Sequence, residues 1–337
     1  MLRLVQIQNA TGRRVAVVEE PLLRLVDGFD SVYGLVQAAL SAGATLSELI
    51  HRKLTNQTLA YDTVYDGQSD WRLMVPLDNP NGPGGTLVSG TGLTHFGSAR
   101  DRQAMHKKTG AEEERTLTDS MKMFNWGVEG GRPAPGQIGV APEWFYKGNG
   151  SILRAQNQPL DAPFFAEDGG EEAEIAGVYF VGPDGSPRRV GMAVGNEFSD
   201  HAFEKRNYLN LAGSKLRTCA IGPELVIGSS FDSIPGDVRI ERGGETIWSK
   251  TIRTGEAEMC HSLANIEHHH FKFDGHRNPG DVHVHFFGAH SLSFGDGVRL
   301  ADGDVMVIRF DGFGRALRTP IRIIKAVDKP LSAVPLT

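Results

Sequence analysis

Residues 167–180, EDGGEEAEIAGVYF, place Glu172 and Glu174 where a glycine-rich turn runs into an apolar stretch. If that stretch is a strand, residues two apart share a face and the two carboxylates project side by side. Like charges held that close destabilise each other unless a cation lies between them. Carboxylates without thiolates select hard ions such as Mg²⁺, Mn²⁺ or Ca²⁺. The plainer alternative is an acidic pair facing solvent at a strand end. A second segment, 190–200, reads VGMAVGNEFSD. There an apolar strand stops at Gly195 and delivers Asn196 and Glu197 at its tip, a common place for functional side chains. Its plainer reading is a turn into a helix, SDHAFEKRNYLNLA, capped by Ser199.

Twelve histidines raise a rival chemistry. His283 and His285 form His-x-His on a strand and share a face, a cupin-type metal pattern. That pattern needs a glutamate three or four residues on, whereas Phe286, Phe287, Gly288, Ala289 and His290 follow here. The carboxylate site is therefore preferred, with His285 left as a candidate for substrate contact or proton transfer. His268, His269 and His270 are consecutive on an expected helix and face different ways, so at most one or two can serve a site. Cys260 and His261 are adjacent and poorly placed to act as nucleophile and base.

The elements that must position these residues come in two textures. Residues 1–20 alternate as a β-hairpin around Asn9–Gly12. Residues 31–55 read as two helices split at Gly43, with Thr45 and Ser47 as candidate caps. The stretch 77–85, LDNPNGPGG, marks a boundary between a small N-terminal domain (1–80) and a larger catalytic domain (86–330). From residue 86 short β-type runs alternate with glycine-rich turns; 41 glycines suit tight turns rather than a helical bundle. Two helical stretches interrupt, a polar one at 99–124 and one near 258–272. Arg102 and Lys108, in the polar stretch beyond His95, could close over a bound carboxylate, with surface solvation the plainer reading.

Composition narrows the class. The formal net charge is −6 with scattered Lys and Arg, which argues against nucleic acid as a partner. The two cysteines, Cys219 and Cys260, form no Cys-x-x-Cys, so a reducing cytoplasm is expected rather than a disulfide framework. The N-terminus lacks a signal-peptide layout, and no apolar run approaches the roughly 18 residues of a membrane span.

Five motifs in order resemble the fumarylacetoacetate hydrolase superfamily: EEAEIAGVYF, GNEFSDH, SKLRTCAIGPEL, PGDVHVHFFG and DGDVMVIRFDGFGRALRTP. PEWFYKGNGSIL also resembles the family's Phe-x-Lys-Pro segment. The resemblance implies a β-rich α+β fold, a mixed β-roll of the family's C-terminal-domain type with a small N-terminal α/β domain, and a homodimer. It matches Glu172 and Glu174 to the family's metal-binding glutamates and Lys215 to its active-site lysine. Glu197 falls where the family usually has aspartate. GTGLTHFGSAR departs from the family's Asn-Tyr-x-x-His segment, with His95 at the tyrosine and Ser98 at the histidine, so the water-activating dyad is missing or moved. The family's Thr-Gly-Thr-Pro is likewise replaced by His285, Phe286, Phe287 and Gly288.

The blend of TGLTHFGSA, PEWFYKG, GNEFSDH and HSLANIEHHHFKF resembles a sugar-acid catabolism branch, which implies dehydration of a 2-keto-3-deoxy-pentonate to 2-oxoglutarate semialdehyde. In that reaction Mg²⁺ polarises the ketone and acidifies C3. A base then removes the C3 proton and the C4 hydroxyl leaves with help from an acid. Lys215 takes the electrostatic or acid role, His95 and His285 are candidate catalytic partners, and Tyr146, Lys147 and Ser98 are candidate substrate contacts. The alternative within the superfamily is metal-dependent carbon–carbon hydrolysis of a 2,4-diketo acid. A binding protein without turnover is a third reading; the retained Glu-x-Glu, Asn-Glu and Lys set argues against it.

Overall fold

The computed structural model describes residues 1–99, 118–326 and 329–336. The chain begins with the predicted hairpin, β1 (Leu2–Asn9) and β2 (Gly12–Glu19). Asn9 Oδ1 holds the turn by accepting from the amides of Thr11 and Gly12 at 2.9 and 3.2 Å. After β3 (Leu22–Val26) come the two predicted helices, Val32–Ser41 and Leu46–Lys53, with Gly43 at φ 60° between them. Thr45 caps the second in a capping box with Glu48, whereas Ser47 lies inside that helix. β4 (Leu54–Ala60) and the short β5 (Arg72–Leu73) follow.

The remaining strands are β6 (Thr86–Gly92), β7 (Glu143–Asn149), β8 (Leu153–Arg154), β9 (Leu160–Ala162), β10 (Ala173–Val181) and β11 (Pro187–Asn196). Then come β12 (Cys219–Ile221), β13 (Leu225–Ile227), β14 (Ile234–Arg242), β15 (Glu245–Thr254), β16 (Val282–Phe286), β17 (Val305–Phe310) and β18 (Leu317–Ile323). Of the polar stretch predicted helical at 99–124, Asp119 onward is helical, as part of Asp119–Gly130. Arg102 and Lys108 lie outside the described residues. The predicted helix near 258–272 spans Leu263–Phe271 and is capped by Ser262. No described helix is long and apolar enough to cross a membrane.

Among the described residues, thirteen strands join one sheet with the spine β4-β3-β2-β1-β13-β11-β10-β16-β6-β7. A second sheet runs β15-β14-β17-β18-β9. This strand-rich, two-sheet arrangement is the β-rich α+β class expected. Residues 1–80 enter the large sheet through β1, which pairs antiparallel with β13.

β10 lies at the heart of the large sheet and is buried along its whole length. Its Ile175 and Tyr179 pack with Val194 of β11 against Val238, Ile240, Met306 and Ile308 of the second sheet. Its Ala176, Val178 and Phe180 pack on the other side with Leu35, Val36 and Ile50 from the helices of residues 32–53. A strand covered on both faces reads as a continuous apolar run, which is the texture of IAGVYFV. The same coverage removes the solvent-facing reading of the acidic pair.

Candidate metal centre

Pairing between β10 and β11 assembles the acidic cluster. Ala173 lies opposite Asn196 and Glu174 opposite Gly195, which brings Glu172 beside Glu197 across the strand ends. The Glu197 amide donates to the Glu172 carbonyl at 3.0 Å. Asn196 serves as the joint: its Oδ1 accepts from the amides of Glu172 and Phe198, both at 3.3 Å, and its Nδ2 donates to Thr319 Oγ1 at 3.1 Å. One carboxylate oxygen from each of Glu172, Glu174 and Glu197 then lies within 4.8 Å of the others, and all three residues are buried.

Two buried lysines compensate this charge. Lys215, last residue of the helix Leu211–Lys215, donates to Glu172 Oε1, to Glu197 Oε2 at 2.6 Å and to Ser199 Oγ at 3.1 Å. The Phe145 ring stacks on the same ammonium, 4.7 Å from Nζ to its centroid. Lys147 donates to Glu197 Oε1 and to the carbonyls of Glu197, Phe198 and Lys215 at 2.9, 3.0 and 2.9 Å. In the β6–β7 pairing Ser89 lies opposite Tyr146 and Val88 opposite Gly148, so Lys147 is the extra residue of a bulge. Alternation along β7 puts Lys147 on the buried side with Glu143 and Phe145.

These neighbours set the protonation preferences. Burial opposes ionisation of Glu172, but the Lys215 charge and the His201 hydrogen bond hold its carboxyl well below the usual range. Burial and then the charges of Glu172 and Glu197 push Glu174 well above it. Burial and the Glu172 charge raise Glu197 to about 7. Burial would lower Lys215, yet Glu172 and Glu197 hold it well above the ordinary lysine value.

Glu174 bears directly on what the cluster can hold. Its Oε2 accepts from the Gly288 amide at 2.6 Å, while its Oε1 is buried with no hydrogen-bond partner. A buried carboxylate oxygen without a donor, next to two further carboxylates, fits a hard divalent cation.

The expected site residues divide into those the fold gathers and those it does not. Glu172, Glu174, Glu197, Lys215 and Lys147 converge. Lys147 needs correcting as a substrate contact, because four protein acceptors surround its ammonium. Tyr146 is 44% exposed and points to the side of β7 opposite Phe145. Ser98 donates to the His95 carbonyl at 3.0 Å. His95 is fully buried, with Nδ1 on Thr94 Oγ1 and Nε2 on Thr254 Oγ1, both at 2.9 Å.

His285 is likewise closed off, with Nδ1 on Ser89 Oγ at 2.8 Å and Nε2 on Thr91 Oγ1 at 2.7 Å. It lies opposite Gly177, so the pleat puts it on the face opposite Glu174. Burial, with His290 nearby, pushes His95 down to about 3. Burial, with His283 and His276, pushes His285 to about 3 as well. Neither imidazole presents a free nitrogen to the carboxylates.

The sequence reading missed three contributors. His201 Nε2 bonds Glu172 Oε1 at 3.1 Å; the cap of its helix is Asp200, and Ser199, expected there, turns to Glu197 instead. Glu171 is buried and accepts from the Ser293 amide and hydroxyl, both at 2.7 Å. Glu143, on the same side of β7 as Phe145, lines a cleft with Leu93, Ser120, Phe124 and His261 and accepts from Tyr208 Oη at 3.1 Å. A side chain at Gly92 would collide with the Glu143 carboxylate, so glycine there lets it lie close to β6. Only the in-out alternation of Glu143, Phe145 and Tyr146 could have flagged Glu143 in the sequence.

No family model matches the chain, and no curated protein matches it by sequence. Solved structures do. The chain is similar to 2-keto-3-deoxy-D-arabinonate dehydratase complexed with magnesium and 2,5-dioxopentanoate, with TM-score 0.69 and 16% identity over 96% of this chain and 100% of that one. The apo form of that dehydratase gives TM-score 0.69 at 17% identity, with the same coverage. The 2-hydroxyhepta-2,4-diene-1,7-dioate isomerase from Mycobacterium marinum gives 0.56 at 15% identity over 96% and 99%. At these identities the likeness shows the fold, and the fold is the fumarylacetoacetate hydrolase type expected from the sequence.

Proposed function

We propose that this chain is a divalent-metal-dependent hydro-lyase that converts a 2-keto-3-deoxy-pentonate to 2-oxoglutarate semialdehyde in the cytoplasm. The observation that carries the reading is the convergence of Glu172, Glu174 and Glu197 around one point, with Lys215 on two of them. These carboxylates would hold Mg²⁺, with Mn²⁺ as a substitute. When bound, such a cation polarises a keto group and acidifies the neighbouring carbon. Likeness to the dehydratase complexed with magnesium and 2,5-dioxopentanoate supports the same reading.

The chain's own residues supply the rest. Lys215, buried and held charged by two carboxylates, steadies negative charge that develops on the substrate oxygens. Glu143, buried over Gly92 in the neighbouring cleft, is the candidate to accept a proton from C3 and return it to the departing C4 hydroxyl. Loss of that proton and hydroxyl releases one water. A proton then moves from C5 to C3, and the C4–C5 enol so formed passes its hydroxyl proton to C4, which gives the aldehyde with all five carbons retained.

Hydrolysis of a carbon–carbon bond would need a base to activate water. His95 and His285 each spend both ring nitrogens on threonine and serine hydroxyls, so neither is free to activate water.

The test is direct. The EDTA-treated protein is offered L- and D-2-keto-3-deoxypentonates with and without Mg²⁺, and semialdehyde is measured. Metal-dependent semialdehyde that disappears in Glu172→Gln is expected. Two shorter acids from a 2,4-diketo acid, with no semialdehyde, would move the assignment to hydrolysis.

A further inference from the structure

His95 lies outside the cluster, yet it is connected to Glu174 through one peptide bond. The hydrogen-bond directions along that path are fixed by valence. Thr94 Oγ1 has one proton and lies 2.6 Å from the Phe287 carbonyl, which can only accept. Its contact with His95 Nδ1 at 2.9 Å must then be an Nδ1–H donating to the hydroxyl oxygen. His95 Nε2 is consequently the acceptor, and Thr254 Oγ1 donates to it at 2.9 Å.

The path runs Thr254 to His95 to Thr94 to the Phe287 carbonyl. That carbonyl belongs to the same peptide unit as the Gly288 N–H, which donates to Glu174 Oε2 at 2.6 Å. Aligned bonds of this kind polarise one another, and a bond to the carbonyl strengthens the amide as a donor. The packing leaves little latitude. Thr94, His95 and Phe287 are fully buried. Gly288 sits at φ 102°, and a side chain there would overlap Thr94 Oγ1.

We propose that Thr94, oriented by His95, is a positioning residue that fixes the Phe287–Gly288 peptide and thereby aims the unpartnered Oε1 of Glu174 at the metal. The proposal rests on Glu174 being a metal ligand. It gives His95 a role behind the site in place of the catalytic one expected from sequence. Partners of this outer kind typically change metal affinity 10- to 100-fold when removed.

The test uses the full chain after EDTA treatment and titrates Mn²⁺ calorimetrically into wild type, Thr94→Val, Thr94→Ser and Thr254→Val. Thr94→Val, which keeps shape and loses the hydroxyl, should weaken Mn²⁺ binding by about 10-fold or more. Thr94→Ser should stay within about threefold of wild type, a rescue that a packing role for the methyl group would not give. Thr254→Val loosens only the far end and should fall between the two; it carries the test if Thr94→Val does not fold. Wild-type affinity in Thr94→Val, or unchanged affinity in Thr254→Val when Thr94→Val cannot be made, overturns the proposal alone. Absence of Mn²⁺ binding by the wild type overturns the proposal together with the reading of the site.

Discussion

Replacing Glu174 by glutamine separates the cost of the acidic cluster from its use. The amide keeps a carbonyl oxygen for the Gly288 N–H and replaces a carboxyl that burial and the charges of Glu172 and Glu197 push well above the usual range. An ionised carboxylate there would meet a neighbour's charge within 4.8 Å, a repulsion of about 3.5 kcal/mol at an effective dielectric constant of 20. Lys215 bridges Glu172 and Glu197, whereas the described donor to Glu174 is a backbone amide, so Glu174 bears the least compensated share. With EDTA present, Glu174→Gln should therefore melt at or above the wild-type temperature.

Added metal should reverse the order. A ligand at 100 times its dissociation constant stabilises the folded state by about 2.7 kcal/mol. For 337 residues, an unfolding entropy of roughly 2.1 cal/mol/K per residue totals about 0.7 kcal/mol/K, which makes that gain about 4 °C. Wild type should gain such a shift on saturation with Mg²⁺, and Glu174→Gln about 1 °C or less. The assay is a pair of circular-dichroism melts for each protein at pH 7, with EDTA and with excess MgCl₂. A variant that melts several degrees below wild type in EDTA, and still gains the full shift with Mg²⁺, would refute the argument and make Glu174 a purely structural acceptor.

Lys147→Met strips the ammonium from Glu197 and three carbonyls at zero side-chain exposure. Breaking such a buried pair should cost about 3–5 kcal/mol in urea unfolding, and a loss under about 1 kcal/mol would show that the lysine is dispensable. Tyr146→Phe should leave kcat/KM within about twofold, as for surface positions generally; a tenfold loss would return Tyr146 to the site. His285, pushed to about 3, stays neutral in the fold while the unfolded chain binds a proton below its ordinary value of about 6.5. Its contribution to stability is therefore present above about pH 6.5 and is lost as pH falls below it. Between pH 7 and 5.5 wild type should lose about 1.3 kcal/mol more than His285→Gln, and equal losses would mean that His285 is already protonated in the fold.

What could be read from the sequence, and what could not, follows from the range of the interactions involved. Glu172 and Glu174 were legible because a two-residue period is a local property of a strand. Glu197 was legible because a strand that ends at glycine must release its next side chains. The register that joins the two segments comes from an antiparallel pair closed by a short turn, Gly182 to Ser186, and shifted by one residue at a bulge beside Val178 and Tyr179. Lys215 came only from resemblance, since nothing within five residues of it says that its helix ends against Glu172. Lys147 shares a face with Glu143 and Phe145 by plain alternation, but the acceptors that surround its ammonium come from distant segments.

The histidines show the same limit more sharply. An imidazole is a catalyst or a strut according to what its two nitrogens meet, and those partners come from afar. His95 meets Thr254 of β15, 159 residues on, and His285 meets Ser89 and Thr91 of β6, 196 and 194 residues back. Burial then keeps both neutral, so they act as fixed donor–acceptor pairs rather than as bases. Three carboxylates are tolerable at one point only if the backbone that carries them cannot relax away from each other, and neutral hydroxyl–imidazole struts hold backbone in place without adding charge. A charged residue at position 95 or 285 would bring its own field into the same interior. On the proposed reading the metal chemistry sits on Glu172, Glu174, Glu197 and Lys215, with Glu143 moving the proton, while His95 and His285 are bound on both nitrogens and stand apart from it.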